Sequence, residues 1–323
     1  MALAVSISHP VHADSQAAPD PEEPAPGWTR HGPWDPKLAA LNDAIRRNPH
    51  DARAFLKRGS VWSEKEDHEK AIADFTEAIR LDPNHTQAYY ERGCEWQSKG
   101  DHEKAIADHS EAIRLDPRDA WAYYKRGCAW HSKKDQDKAI ADHSEAIRLD
   151  PKLAYPYTDR GLAWEAKGDF ARAIADHTEA IRRDPGCLAA YVNRAIAWNH
   201  TSDFDRAIAD CTAAIRLDPR CRDAYGHRAA ACLQKGAPLR AIANFDIILS
   251  LYPGDAVTYA MRGYARNGLG DFDGAIADCN EAIRLDLACM IAYVARGEAW
   301  SSNGDQEKAN ADYRQAKVLS EKK

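Results

Sequence analysis

The sequence predicts an all-α solenoid, in which short helical hairpins stack one after another, and two observations lead to this prediction. Prolines recur at intervals of 34 residues, at Pro49, Pro83, Pro117, Pro151, Pro185, Pro219 and Pro253. The string AIAD recurs in the same register, starting at Ala71, Ala105, Ala139, Ala173, Ala207 and Ala275. A period of about 20–50 residues is typical of repeat architectures, in which stacked units bury a continuous core.

The second whole repeat shows which elements one period encodes. Tyr89, Gly93 and Trp96 are spaced i, i+4 and i+7, so they lie on one stripe of a helix. Asp101 follows a glycine and is well suited to cap a second helix, because its carboxylate accepts from free backbone N–H groups. Pro117 ends that helix, since the residue before a proline is disfavoured in the α region. Each repeat is therefore predicted to be a helix-turn-helix hairpin.

The periodicity divides the chain into a terminal segment, residues 1–34, and a repeat array, residues 35–323. The array begins with the second half of a repeat, residues 35–51. Whole repeats follow at 52–85, 86–119, 120–153, 154–187, 188–221, 222–255, 256–289 and 290–323, and we number them one to eight.

This pattern resembles the tetratricopeptide repeat (TPR) family. The second repeat carries the family's residues at Tyr89, Gly93, Trp96, Ala105, Ala112 and Pro117, whereas His109 stands where the family has an aromatic. The resemblance covers residues 35–323. It implies a right-handed superhelix with a concave groove that binds a peptide or a protein segment, and it implies no particular partner. The family's carboxylate clamp, a Lys and Asn set that grips a peptide's C-terminus, is not evident.

Two charged columns repeat with the same period. One holds Arg58, Arg92, Arg126, Arg160, Arg194, Arg228, Arg262 and Arg296, and the other, sixteen residues later, holds Asp74, Asp108, Asp142, Asp176, Asp210, Asp278 and Asp312. The arginines could form a ladder for a polyanion. Because the turn lies midway between the columns, we instead predict an ion pair between the two helices of each hairpin.

The composition and charge exclude several classes of function. The net charge is −6, and residues 14–26 contribute four of these negative charges, so the remainder is nearly neutral. A nearly neutral surface argues against nucleic acid as a partner. No apolar run approaches the length of a membrane-spanning helix, so we expect no integral membrane segment. No glycine-rich phosphate loop is present, and we expect no cofactor.

Histidines and cysteines also occupy repeated slots. His109, His143 and His177 share one slot with Cys211 and Cys279. Equivalent slots of stacked repeats are separated by about 8–10 Å, whereas zinc holds its ligands at about 2.0–2.3 Å. We therefore predict core histidines and no metal site. Residues in equivalent slots are likewise too far apart for disulfides.

The terminal segment favours export. Residues 1–13 end in Val11-His12-Ala13, as a signal-peptide cleavage site does, although the basic start is missing. We interpret them as a signal-peptide remnant, followed by an acidic, proline-rich linker, which places the protein in the periplasm or at the cell surface. A cytoplasmic protein with an arbitrary terminus is the alternative.

The candidate partner-binding site lies on the first helices of repeats two to four. Tyr90, Trp121, Tyr124 and Tyr155 point away from the buried stripe and are expected to cluster, with Lys125 and His131 alongside. Later repeats lack these rings, so the patch is local. The rings either anchor a partner, as interface hot spots do, or only pack against neighbouring first helices.

These observations favour a non-catalytic scaffold that binds a protein or peptide. An enzyme is the least favoured class, because every polar column repeats whereas a catalytic site is a unique constellation. The remaining alternative is a structural subunit of a larger assembly, for example one at the cell envelope. Ile247 stands where early repeats have Glu77, Glu111, Glu145 and Glu179, and it marks either a surface for self-association or a repacked local defect.

Overall fold

The computed structural model describes residues 35–321. This part of the chain contains seventeen α-helices and no strand. The helices are α1 (Pro36–Arg47), α2 (Ala52–Glu64), α3 (His68–Leu81), α4 (Thr86–Ser98), α5 (His102–Leu115), α6 (Ala120–Ser132), α7 (Gln136–Leu149), α8 (Tyr155–Ala166), α9 (Phe170–Arg183), α10 (Leu188–His200), α11 (Phe204–Leu217), α12 (Arg222–Gln234), α13 (Pro238–Leu251), α14 (Ala256–Asn267), α15 (Phe272–Leu285), α16 (Met290–Ser302) and α17 (Gln306–Glu321). The predicted signal-peptide remnant and linker lie outside the described residues.

The helices form two compact units. The described part of one is residues 35–183, with α1–α9, and that of the other is residues 184–321, with α10–α17. Within each unit the two helices of every hairpin pack together, and each second helix packs against the first helix of the next hairpin. First helices of successive hairpins also touch, so that α4, α6 and α8 share one face of the first unit.

Aspartates start most second helices, as the sequence predicted. The carboxylates of Asp67, Asp101, Asp135, Asp203 and Asp271 each accept a hydrogen bond from a backbone N–H in the first turn of the helix that follows. In repeat six, Ala237 provides no such bond, and Pro238 occupies the first turn of α13. Proline is tolerated there because its missing N–H would have no partner within the helix.

In each of repeats one to three, a ring from the second helix packs against a glycine of the first helix. The fully buried rings of Phe75, His109 and His143 lie against Gly59, Gly93 and Gly127 respectively. A Cβ built on any of these glycines would lie 2.6 Å from a ring atom. The histidines are therefore core residues that occupy the position of an aromatic, as the sequence predicted.

The arginine and aspartate columns form the predicted pairs in seven of the eight hairpins, joined by Nε and Nη2 bonds of 2.6–2.9 Å. In repeat six, Arg228 donates instead to the amide oxygen of Asn244 at 2.8 Å. The arginines also reach back one hairpin, as Arg126 does to the Ser110 hydroxyl at 3.1 Å. Because each guanidinium donates hydrogen bonds to side chains of the array itself, we assign the arginine column to holding the helices together.

Candidate functional site

Three aromatic rings from α6 and α8 form a cluster on the face that α4, α6 and α8 share; we call it the aromatic cluster. The ring of Trp121 lies 5.7 Å from that of Tyr124 and 6.3 Å from that of Tyr155, centroid to centroid. Tyr124 and Tyr155 are also 6.3 Å apart. The structure thus brings together three of the four rings that the sequence placed here. Tyr124 is buried, with only 7% of its surface exposed, whereas Trp121 is 40% exposed.

Trp121 also borders an open cavity between α4 and α6. This cavity has a volume of ≈ 530 Å³, within the range of about 300–1,000 Å³ that is typical of small-ligand sites. We call it the α4–α6 cavity, and Tyr90, Gln87, Glu91 and Asp119 also line it. The ring of Tyr90 contacts that of His109 at a tilt of 56°, with centroids 5.7 Å apart. Asp119 accepts from the Trp121 backbone N–H at 2.9 Å, so it fixes the start of α6.

Lys125 and His131 lie in a second cavity of ≈ 410 Å³ that reaches from α4 to α8. We call it the polar cavity, because Gln97, His102 and Asp159 also line it. Tyr124 forms part of its wall. The sequence placed Lys125 and His131 alongside the rings. The Lys125 ammonium does lie beside the aromatic cluster, 5.6 Å from the centroid of the Tyr124 ring. Both residues line the polar cavity, whereas Trp121 borders the α4–α6 cavity.

The polar cavity contains a trio of side chains that the sequence analysis missed, two of them buried and one, Cys128, partly buried. One ligand-type atom each from Cys128, His143 and Asp159 lies within 4.8 Å of the other two. The Cys128 thiol donates to the Asp159 carboxylate at 3.4 Å. Both ring nitrogens of His143 and the Oδ1 atom of Asp159 are buried without a hydrogen-bond partner.

The buried surroundings set the protonation of the trio. Burial lowers the pKa of His143 to about 4, so the imidazole is neutral at pH 7. Burial, followed by the Asp159 charge, raises the pKa of the Cys128 thiol well above its usual range. Nucleophilic cysteines need a lowered pKa. The arrangement therefore lacks the activated thiol that a cysteine hydrolase requires.

The trio escaped sequence analysis for a geometric reason. The sequence period makes only equivalent slots of successive repeats conspicuous, and these slots are one repeat apart. Cys128, His143 and Asp159 occupy three different slots, on α6, α7 and α8, that the hairpin geometry brings to one place. The statement that every polar group belongs to a repeated column is wrong for this trio. A search across non-equivalent slots of adjacent repeats would have found it.

Family models match most of the repeat array. A model described as tetratricopeptide repeat matches residues 38–86, 158–219, 201–256 and 261–322. The chain belongs to the tetratricopeptide-repeat family. A second model of that description matches residues 122–153, and one described as TPR repeat matches residues 98–132. TPR proteins are typically non-catalytic, and membership supports a general role as a protein-interaction scaffold.

Solved structures show the same fold. A TPR protein from Parabacteroides merdae is 16% identical, with a TM-score of 0.57 over 77% of this chain and 98% of that one. Pseudomonas aeruginosa pilF is 16% identical, with a TM-score of 0.56 over 67% and 95%. A chain of the Cut9–Hcn1 hetero-tetramer of the APC/C is 16% identical, with a TM-score of 0.56 over 88% of this chain and 56% of that one. No curated protein matches the sequence. These neighbours confirm the predicted all-α TPR fold.

Repeat six differs from the others as the sequence suggested. Ile248 is 2% exposed and joins a core cluster with Cys232, Phe245 and Met261, so this isoleucine repacks the local core. Ile247 is 37% exposed.

Within residues 35–321, no helix combines the length and apolar character needed to cross a membrane.

Proposed function

We propose that this TPR array is a scaffold that binds a peptide or protein segment on the face formed by α4, α6 and α8. The observation that carries the proposal is the exposed Trp121 ring. It contacts the rings of Tyr124 and Tyr155 and also borders the α4–α6 cavity. Interface hot spots are enriched in Trp and Tyr that stand in packed pockets.

The walls of the α4–α6 cavity indicate the kind of segment that fits. The rings of Tyr90 and Trp121 offer an apolar site, and Gln87 and Glu91 stand beside them with groups that accept backbone N–H donors. The Glu91 carboxyl is partly desolvated, and this burial raises its pKa. The segment we infer carries one large apolar side chain that enters between the two rings. Its backbone then donates to the polar wall.

A pair of matched variants tests the proposal. Trp121 and Val257 occupy the same slot in repeats three and seven, and both are exposed, at 40% and 38%. The wild-type array, Trp121→Ala and Val257→Ala are used as baits in affinity capture from the native host, with mass spectrometry of the bound proteins. We expect Trp121→Ala to lose the specific partner and Val257→Ala to retain it. Equal recovery by all three baits would place the partner elsewhere.

The structural-subunit alternative has support from α13. Leu239 is 69% exposed, and Ile247 lies two turns later on nearly the same side of the helix, with the exposed Ala243 between them. A stripe of exposed apolar residues at this spacing fits the packing of a second helix. A second copy of this chain is the simplest occupant. Sedimentation equilibrium would show an association that Leu239→Glu abolishes, while Leu287→Glu, at an isolated exposed position, leaves it intact.

A further inference from the structure

We propose that Cys128, His143 and Asp159 form a binding site for one zinc-class divalent ion, with a fourth coordination position facing the polar cavity. This inference does not depend on the proposed partner. It starts from the three ligand-type atoms, which lie within 4.8 Å of one another. A tetrahedral zinc ion with bonds of about 2.0–2.3 Å holds its ligand atoms roughly 3.3–3.8 Å apart. Side-chain adjustments of about an ångström therefore close the site.

The donor set favours zinc over the hard cations. Thiolate and imidazole are ligands for zinc and its neighbours among the transition metals, whereas magnesium and calcium prefer sites built entirely from oxygen. Three protein ligands with one open position are the usual arrangement for a zinc ion that exchanges a ligand. The cavity of ≈ 410 Å³ that the trio lines gives a water molecule or an incoming group access to that position.

The unpartnered atoms are an independent indication of a ligand. His143 is fully buried and Asp159 is 8% exposed, yet both imidazole nitrogens and the Asp159 Oδ1 atom have no hydrogen-bond partner. The imidazole nitrogens of His109 also have no partner, so the feature that distinguishes this junction is the unpartnered carboxylate oxygen near the ring. A buried polar group without a partner destabilises the fold, and native structures seldom leave a carboxylate and an imidazole unpartnered in one place. A cation between the three side chains would engage one nitrogen of His143 and the carboxylate together.

The side chains are held on rigid elements. Each ligand comes from a different helix, α6, α7 or α8, so the site needs no loop to close. The His143 ring is fixed on Gly127 and contacts the Tyr124 ring, whose centroid is 5.7 Å away. Metal sites depend on such surrounding contacts to orient their ligands.

The trio occurs once among the repeats, unlike the structural columns. At the same three slots one repeat earlier, the chain has Cys94, His109 and Lys125, so a cation replaces the carboxylate. Two repeats earlier it has Ser60, Phe75 and Glu91. Only the junction of repeats three and four combines thiol, imidazole and carboxylate. Repeat two therefore provides a control that shares the cysteine and the histidine.

Cobalt(II) is the probe, because a thiolate ligand gives a charge-transfer band that oxygen and nitrogen ligands do not. The full chain, freed of any histidine tag and kept reduced, is titrated with Co²⁺, and Zn²⁺ is then added. We expect one equivalent of Co²⁺ per chain to produce the thiolate band together with tetrahedral ligand-field bands, and Zn²⁺ to remove both. Absence of the thiolate band in the wild-type chain would overturn the proposal.

Variants assign the ligands. Cys128→Ser and His143→Phe should abolish the thiolate band or weaken Co²⁺ binding by at least about 100-fold, and Asp159→Asn should weaken it by at least about tenfold. Phenylalanine is compatible with the fold at this slot, since Phe75 and Phe245 occupy it in repeats one and six. Cys94→Ser and His109→Phe should leave binding unchanged. If Cys94→Ser and His109→Phe lose the thiolate band as readily as the variants of Cys128 and His143, the ion binds elsewhere and the assignment is wrong.

Discussion

The guanidinium of Arg126 donates to both carboxylate oxygens of Asp142, with Nε at 2.8 Å and Nη2 at 2.7 Å. The two residues are sixteen positions apart and join the two helices of one hairpin. Both are largely shielded from water, with side-chain exposures of 21% and 10%. Bidentate pairs of this kind fix geometry as well as contributing energy. The same pair in six other hairpins makes it a regular feature of the array.

We expect a double-mutant cycle on Arg126 and Asp142 to give a coupling free energy of at least about 1.5 kcal/mol, because hydrogen bonds between charged groups contribute more than neutral ones. The measurement is urea denaturation of the wild type, Arg126→Ala, Asp142→Ala and the double variant. The control is the exposed pair of Arg148 and Glu145, three residues apart on α7, for which about 0.3 kcal/mol is expected. Negligible coupling between Arg126 and Asp142 would show that the column does not stabilise the hairpin.

Gly127→Ala should destabilise the fold by about 1–3 kcal/mol, because overpacking a closed core forces atoms apart. The added Cβ would lie 2.6 Å from Cε1 of the His143 ring. Gly226→Ala is the matched change in helix α12, where nothing lies within 4 Å of the added Cβ. That variant should be neutral, or more stable by up to about 1 kcal/mol through helix propensity. Thermal or urea unfolding checks both. Equal effects of the two substitutions would contradict the ring-on-glycine packing.

We expect the free energy of unfolding to decrease as the pH is lowered, starting above the pH range in which carboxylates titrate. Burial, with Lys125 and Arg126 adding to it, lowers the pKa of His109 from 6.5 to about 3. Below pH 6.5 the unfolded chain binds a proton at this histidine that the folded chain does not bind. The free energy of unfolding therefore decreases by up to about 1.4 kcal/mol per pH unit as the pH falls from 6.5 towards 3.

His109→Phe removes this contribution while retaining a ring on Gly93. We expect the variant to lose less stability than the wild type between pH 6.5 and pH 4.5, as measured by urea denaturation at several pH values. Parallel pH profiles for the two proteins would mean that His109 has the same proton affinity in the folded and unfolded chains.

Asn244→Asp should stabilise repeat six. Arg228 has a neutral partner in Asn244, whereas the other seven hairpins provide a carboxylate. The substitution gives the guanidinium a charged acceptor and loses the bond from Asn244 to the Arg240 carbonyl. We expect a net gain of about 1 kcal/mol and slower hydrogen exchange in α12 and α13. Faster exchange, or lower stability, would show that the neutral partner of Arg228 does not weaken repeat six.

The sequence predicted the elements well because each residue type there acts locally or at a fixed period. Proline and aspartate mark the helix ends, and the arginine and aspartate columns follow from a turn placed between them. The burial of Tyr124 could not be predicted in the same way. Trp121 and His143 of its own hairpin and Tyr155 of the next hairpin cover its ring. Burial at that slot therefore depends on ring sizes in two successive repeats.

The sequence did not predict the polar cavity, for a related reason. A period of 34 residues makes equivalent positions conspicuous and hides combinations of different positions. Cys128 and Asp159 are 31 residues apart, and their contact depends on how α6 and α8 pack. Lys125 and His131 were assigned to the rings because, at 100° per residue, their slots point away from the buried stripe of α6 as those of Trp121 and Tyr124 do. The separation into two cavities is set by the Tyr124 ring, whose orientation only the packed structure reveals.

The central claim, that the face of α4, α6 and α8 binds a partner, is tested most directly by site-specific photo-crosslinking. A photo-reactive phenylalanine analogue is placed at position 87, in the wall of the α4–α6 cavity, or at position 257, the same slot in repeat seven. The native host is irradiated, and the adducts are separated by size and identified by mass spectrometry. We predict a discrete protein adduct from position 87 and none from position 257. Adducts from position 257 alone, or equal labelling from both positions, would contradict the claim.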